Sequence, residues 1–236
     1  MDNYSNYYSQ GGNEQALDTR VSAVMKRVYV KMFLGLLVTA LVSFWSASTP
    51  GVIQFFMANR WSMWVLIIAE FAILFGISGA LKHISSSMAT MMFYLFAIIN
   101  GLMLFQIFLV YSPASIAKTF FITAGTFGAM SVYGYFTTND LTKWGSILFM
   151  ALIGLIICSL VNIFWNNGTL GWIISGAGVL IFVGLTAWDT QKIKQMAMMA
   201  PNEAAGRLAT IGALSLYLDF INLFLYLLRF FGNNRD

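Results

Sequence analysis

Apolar residues fall along this chain in runs of about twenty, divided by short polar breaks. A helix needs roughly that length to cross a bilayer at 1.5 Å rise per residue. Seven runs qualify: Tyr29–Ser48, Trp61–Leu81, Ser87–Val110, Ser115–Phe136, Lys143–Phe164, Leu170–Trp188 and Leu208–Phe231. The breaks carry turn signals: Thr49-Pro50-Gly51, Lys82-His83, Ser112-Pro113, Thr138-Asn139-Asp140 and Asn166-Asn167-Gly168. The longest break runs from Thr190 to Arg207 and contains Pro201. Short connections favour antiparallel neighbours. The pattern therefore predicts an all-α integral membrane protein, a bundle of seven transmembrane helices over residues 20–236. Residues 1–19 are rich in Tyr, Asn, Ser, Gln and Gly and lack an apolar run. They read as a disordered polar tail and not as a cleavable signal peptide.

Tryptophans support these boundaries. Trp61 and Trp64 open the second run, Trp144 opens the fifth, Trp165 follows it, and Trp172 and Trp188 bracket the sixth. Indole rings prefer the headgroup level. Trp45 alone departs from the pattern, a turn short of the first run's end. Charge sets the orientation. With the N-terminus inside, the inner side holds Arg20, Lys26, Arg27, Lys31, Lys82, Lys143, Lys192, Lys194 and Arg207. The outer side holds Arg60, Lys118, Arg229 and Arg235, so the balance is nine against four. The N-terminus is expected in the cytoplasm and, after seven spans, the C-terminus outside. A re-entrant seventh run would return the C-terminus to the inside.

Composition agrees. The chain is 59% hydrophobic and 9% charged, with a mean hydropathy of +0.75, where soluble domains carry roughly 25% charged residues. The net charge of +4 comes from loop cations and gives no reason to expect nucleic acid. Cys158 is the one cysteine, so no intrachain disulfide forms.

Against this background, three acids stand out. Asp219 lies deep in the seventh run, Asp189 ends the sixth, and Glu70 lies in the middle of the second. A carboxylate in hydrocarbon is costly unless neutral, paired or hydrated, so each is a functional candidate. Ser215, Asp219, Asn222 and Tyr226 are spaced by four, three and four, one face of a helix. Gly212 extends that face. Such a stripe turns toward a partner helix, as packing seam, or toward a wet cavity. Asp189 is three residues before Lys192 and has the option of pairing with it. Asp219 is twelve residues past Arg207, roughly 18 Å along a helix. Contact between the two aspartates thus requires a seventh helix that begins well outside the membrane or a deep-lying sixth. Glu70 either lines a cation path or hydrogen-bonds a neighbour. Asn100, Gln106 and Asn162 read as packing glue, and Gly125, Gly128 and Ser131 as a close helix approach in the fourth span.

Absent chemistry narrows the field. One histidine, His83, and one cysteine cannot build a His/Cys metal cluster. There is no G-x-S-x-G elbow and no phosphate-binding G-x-x-x-x-G-K loop. The last run has no lysine for a retinal Schiff base. The chain is read as a non-enzyme without cofactor. An intramembrane aspartyl protease would use two such aspartates, but the context LYLDF lacks the G-x-G-D pattern.

At MSVYGYFTTNDL (130–141), FVGLTAWDTQKI (182–193) and GALSLYLDFINLFLYLLRFFG (212–232), the sequence resembles the Bax-inhibitor-one, or TMBIM, family in its bacterial branch. The resemblance covers nearly everything after the polar tail. It implies a seven-helix fold with the last helix central, and a multi-pass protein of the bacterial inner membrane. It also implies a pH-sensitive calcium leak, gated by a pair of aspartates that match Asp189 in AWDTQ and Asp219 in YLDFIN. Trp188 stands where members often have Tyr, and Thr138-Asn139 where they often have basic residues. An arginine on the second helix of some relatives has no secure match here, Lys82 being the nearest basic position. Some bacterial relatives bind a membrane-bound AAA protease.

The expectation is therefore a proton-gated cation leak in the lipid bilayer. Asp189 and Asp219 share a proton, because like charges in contact cannot both ionise cheaply, and hold calcium transiently, as a permeant ion. Glu70, Ser215, Asn222 and Tyr226 form the ion path or polar network. The alternative is a regulatory membrane scaffold that binds a membrane-bound AAA protease.

Overall fold

A computed structural model describes residues 2–59, 61–79 and 84–233; the side chains of 2–14, 78 and 202 are outside that description. Every regular element is helical: α1 (Asp2–Ser48), α2 (Pro50–Ala58), α3 (Trp61–Gly79), α4 (Ser86–Val110), α5 (Pro113–Phe136), α6 (Thr142–Trp165), α7 (Gly168–Met199) and α8 (Ala205–Phe231), with a 3-10 turn at Asn202–Ala204. Arg60, Leu81, Lys82, His83 and Arg235 lie outside the described residues. The division at residue 19 between tail and membrane domain remains a reading of composition.

Each of the seven apolar runs falls on a helix, with local causes for most boundaries. Ser85 caps α4 by accepting from the Met88 N–H, and Ser112 caps α5 by accepting from Ser115, with Pro113 in the first turn. Asn166 ends α6 in the left-handed conformation (φ 47°), and the next residue, Asn167, caps α7 through Leu170. Two boundaries differ from expectation. Pro50, read as part of a turn, starts the short helix α2, since proline suits a first helical position. The sixth run does not stop at Trp188. α7 continues for eleven more residues to Met199, because the polar stretch after Asp189 finds partners in the neighbouring loop, described below.

By length and composition, five helices among the described residues can cross a membrane: the Gln15–Ser48 part of α1, then α4, α6, α7 and α8. The pair α2 and α3 passes jointly but meets at a 95° bend, which raises the number to six. α5, expected as the fourth span, is not among them. Its inward face carries Ser115, Thr119, Thr123, Ser131 and Gly134, and these small or hydroxylated residues lower its hydropathy.

α8 packs against α7, α1, α5 and α4, and 67% of its apolar window is buried, against 6% for α6. Tyr217 on α8 is fully enclosed. Its ring meets Phe93 and Phe96 of α4 edge-on, at 5.7 and 5.9 Å between centroids, and its hydroxyl lies 2.7 Å from that of Thr39 on α1. Thr39 in turn donates to the Ala97 carbonyl at 2.9 Å. A buried hydroxyl without a partner costs about 1–3 kcal/mol, so this chain of bonds lets α1, α4 and α8 meet around a polar group. The outer surface is apolar: Phe33, Leu37 and Leu41 on α1 and Ile147, Phe149 and Ile153 on α6 are exposed, as a lipid-facing surface requires.

The close approach expected at Gly125 and Gly128 is not there. Both face open space, and the tight contact of α5 is at Gly134, against the Ala187 backbone. Of the three small residues expected at a close approach, Ser131 lies on the buried face, one turn before Gly134, and the two glycines do not, because sequence alone does not say which face meets α7.

Candidate functional site

α7 and α8 run side by side in opposite directions and close on each other through Pro201. From Asp189, α7 has ten residues left to Met199, and α8 reaches Asp219 fourteen residues after Ala205. At standard rise these are about 15 and 21 Å from the same end of the bundle. The extension of α7 thus removes the depth mismatch seen in the sequence. The two carboxyls come within hydrogen-bonding reach of each other. Asp219 is only 5% exposed, and its Oδ2 has no hydrogen-bond partner in the structure. Burying a bare carboxylate oxygen is costly; a proton shared across the pair, or a cation beside it, relieves that cost.

Asp189 and Asp219 open onto a cavity of about 660 Å³ that is also lined by Glu70, Asn100, Ser215, Asn222 and Tyr226. All six residues singled out in the sequence for gate or path therefore reach one space. The polar stripe of α8 faces it as its spacing implied. Gly212 does not; it packs against Ile193 and Val28. Leu218 and Leu225 of α8 line the cavity as well, because the space is wider than the stripe. Glu70 accepts a hydrogen bond from the Asn100 amide, and the Asn100 carbonyl oxygen is buried without a partner. Asn222 donates to the Leu218 carbonyl one turn back, at 2.8 Å, which leaves its own side-chain oxygen for the cavity. Tyr226 stacks on Phe182 at 5.8 Å and is seated by Gly178, where a Cβ would meet the ring.

Trp188 and Lys192 also line the cavity, and sequence reasoning had assigned neither to the site. Trp188 was read as a headgroup-level indole. It instead packs inward on Gly145 of α6, where any Cβ would overlap the ring. Lys192 places its ammonium 4.5 Å from the centre of the Trp188 ring, a cation–π contact. Its i,i+3 spacing from Asp189 was the available signal.

A polar strap holds the α7 extension. Gln191 accepts from the Leu141 N–H and donates to the Asn139 carbonyl, both at 2.8 Å. Lys194 donates to the Tyr135 carbonyl at 2.8 Å. In the same loop, Asp140 accepts from the Thr142 hydroxyl at 2.6 Å and from its N–H at 2.9 Å. These two bonds, the hydroxyl first, hold the Asp140 carboxyl below the ordinary aspartate range. Their support is present above that range and is lost as pH falls through the lowered value. Gln191→Ala should leave the buried Leu141 N–H unpaired, at about 1–3 kcal/mol. Hydrogen exchange at Leu141 is then expected to quicken by about five- to 150-fold, the same free-energy difference; unchanged exchange would show that the loop is held elsewhere.

Among the described residues no group of three or more His, Cys, Asp or Glu gathers to hold a metal.

Comparison with known proteins agrees with this architecture. A sequence model of the family described as inhibitor of apoptosis-promoting Bax1 matches residues 21–236. The chain is 47% identical over 214 residues to the inner membrane protein YbhL of Escherichia coli K12, covering 89% of this chain and 92% of that one. It is 46% identical over 214 residues to an uncharacterized protein of Borreliella burgdorferi, covering 90% and 92%. It is 39% identical over 237 residues to protein RP147 of Rickettsia prowazekii, across the full length of both. The match runs through both aspartate-bearing helices and nearly all the rest, and on that evidence the chain belongs to the Bax inhibitor family of membrane proteins.

Proposed function

We propose that this protein is a pH-sensitive leak for calcium and other cations, without enzymatic activity or bound cofactor. The observation that carries the reading is the contact of Asp189 with Asp219 on a cavity that also holds Glu70. With one proton between them, the two carboxyls hydrogen-bond and tie α7 to α8. Loss of that proton leaves two like charges, which separate or draw in a divalent cation. Glu70 adds negative potential across the cavity, and Ser215, Asn222 and Tyr226 offer neutral oxygens. Lys192, at the edge of the same space, is a tethered counter-charge.

The proposed setting is a bacterial inner membrane, as the name of the YbhL relative suggests, with the N-terminus cytoplasmic. In this reading α5 and the bent α2–α3 pair cross together with the five apolar helices. That gives seven spans around α8, which brings the C-terminus out. At 24 residues α5 is about 36 Å long, enough to cross, and two of its hydroxyls bond back to carbonyls one turn earlier, Thr123 to Thr119 at 2.8 Å and Thr126 to Ile122 at 2.9 Å.

Calcium flux into proteoliposomes over a pH series tests the proposal. The expected result is protein-dependent entry whose rate changes with pH. Absence of flux at every pH would refute the leak and favour a regulatory scaffold that binds a membrane-bound AAA protease, with the acids serving only structure.

A further inference from the structure

The inner end of α1 carries Lys26, Arg27 and Lys31, with no acid between them in sequence. Lys26 and Arg27 are exposed, and with Ala23, Val30 and Lys31 they line a groove of about 400 Å³. Lys31 is half-buried. Its ammonium donates to the Thr90 hydroxyl of α4 at 2.7 Å and to the Thr210 hydroxyl of α8 at 2.6 Å. Both hydroxyls can spend their own hydrogens on carbonyls one turn earlier, Ser86 at 2.8 Å and Gly206 at 3.1 Å, which leaves them as acceptors. Two of the three ammonium hydrogens are thereby fixed. The third has no acceptor among the described residues, and the charge that acts on Lys31 is another cation, Arg27.

The position is as informative as the charge. Thr90 is four residues into α4 and Thr210 five residues into α8, so the groove lies about 6–8 Å from the start of those helices. Their N-terminal ends add partial positive charge on the same side. From the groove, an exposed apolar stripe continues along α1 through Val30, Phe33, Leu34, Leu37 and Leu41. A hollow walled by side-chain stems and rimmed by the charged heads of Lys26 and Arg27, at headgroup depth and leading into an apolar stripe, matches a molecule with an anionic head and hydrocarbon tails.

We propose that this groove binds the phosphate headgroup of an anionic phospholipid, held by Lys26, Arg27 and the free hydrogen of Lys31, with the acyl chains along Val30–Leu41. The site is separate from the aspartate cavity and does not depend on the leak.

Native mass spectrometry of the intact protein, titrated with phosphatidylglycerol or phosphatidylcholine, tests it. Phosphatidylglycerol adducts are expected at much lower lipid concentration than phosphatidylcholine adducts. Each Lys or Arg at an anionic lipid strengthens binding about fivefold, so Lys26→Gln with Arg27→Gln should weaken phosphatidylglycerol retention by about twenty-five-fold. Both side chains are exposed, and Lys31 keeps its threonine bonds, so the double variant retains the fold. Equal retention of the two lipids by the wild type, or equal phosphatidylglycerol retention by wild type and double variant, would overturn the proposal. Release of phosphatidylglycerol by excess inorganic phosphate would also overturn it, by reassigning the groove to a free anion.

Discussion

Asp219→Asn should abolish the pH dependence of calcium flux while leaving the protein folded. Asparagine has the same shape as the acid, and its amide can still donate to Asp189, so the contact between α7 and α8 survives. What disappears is the proton shared across the pair: Asp189 keeps its carboxyl but no longer faces a like charge that loss of a proton would set against it. Where one acid titrates, its ionised fraction changes up to about tenfold per pH unit, whereas the variant's flux should hold within about twofold over the same range. Asp189→Asn should act alike, because two carboxyls in contact titrate as a pair and neither owns the proton. Flux in proteoliposomes over a pH series gives the answer, with thermal unfolding of each variant to confirm folding. A pH profile unchanged in Asp219→Asn would remove the aspartate pair from the gate, even if calcium still leaked.

Gly134→Val should destabilise the bundle by forcing α5 away from α7. A Cβ at Gly134 would overlap the Ala187 carbonyl. That obstacle is helix backbone, which has no rotamer to change, so α5 and α7 must part. Overpacking of this kind costs about 1–3 kcal/mol, and for a chain of this size each kcal/mol lowers Tm by about 2–4 °C. The control is Gly125→Ala on the same helix. It meets open space and gains helix propensity of up to about 1 kcal/mol, so its effect should have the opposite sign. Thermal unfolding in detergent separates the two. Ala187 is two residues before Asp189, so Gly134→Val should also shift the aspartate contact and alter flux. An unchanged Tm would mean that the α5–α7 approach is looser than described.

Much of this protein was legible without tertiary information, because a bilayer imposes strong local rules. A backbone in hydrocarbon must satisfy its own hydrogen bonds, and runs of apolar residues between turn signals located a helix in every expected place. Ser112-Pro113 and Asn166-Asn167-Gly168 marked ends that capping chemistry explains. The cost of a carboxylate in lipid singled out Glu70, Asp189 and Asp219, and helical spacing put Ser215, Asp219, Asn222 and Tyr226 on one face. Sequence alone did not determine which faces meet. The small residues of α5 suggested a seam at Gly125, Gly128 and Ser131, and packing put the tight contact one turn past Ser131, at Gly134. Trp188 looked like an interface residue until Gly145 gave its ring a seat inside the bundle. The aspartate contact depended on how far α7 extends, and that was set by Gln191 finding a carbonyl partner in the α5–α6 loop and Lys194 one in the last turn of α5, more than fifty residues away in sequence. Local pattern governs whether a segment is helical and what it can afford to expose. Register and rotation between helices depend on long-range contacts, each worth only about a kcal/mol, and these decided the geometry of the site.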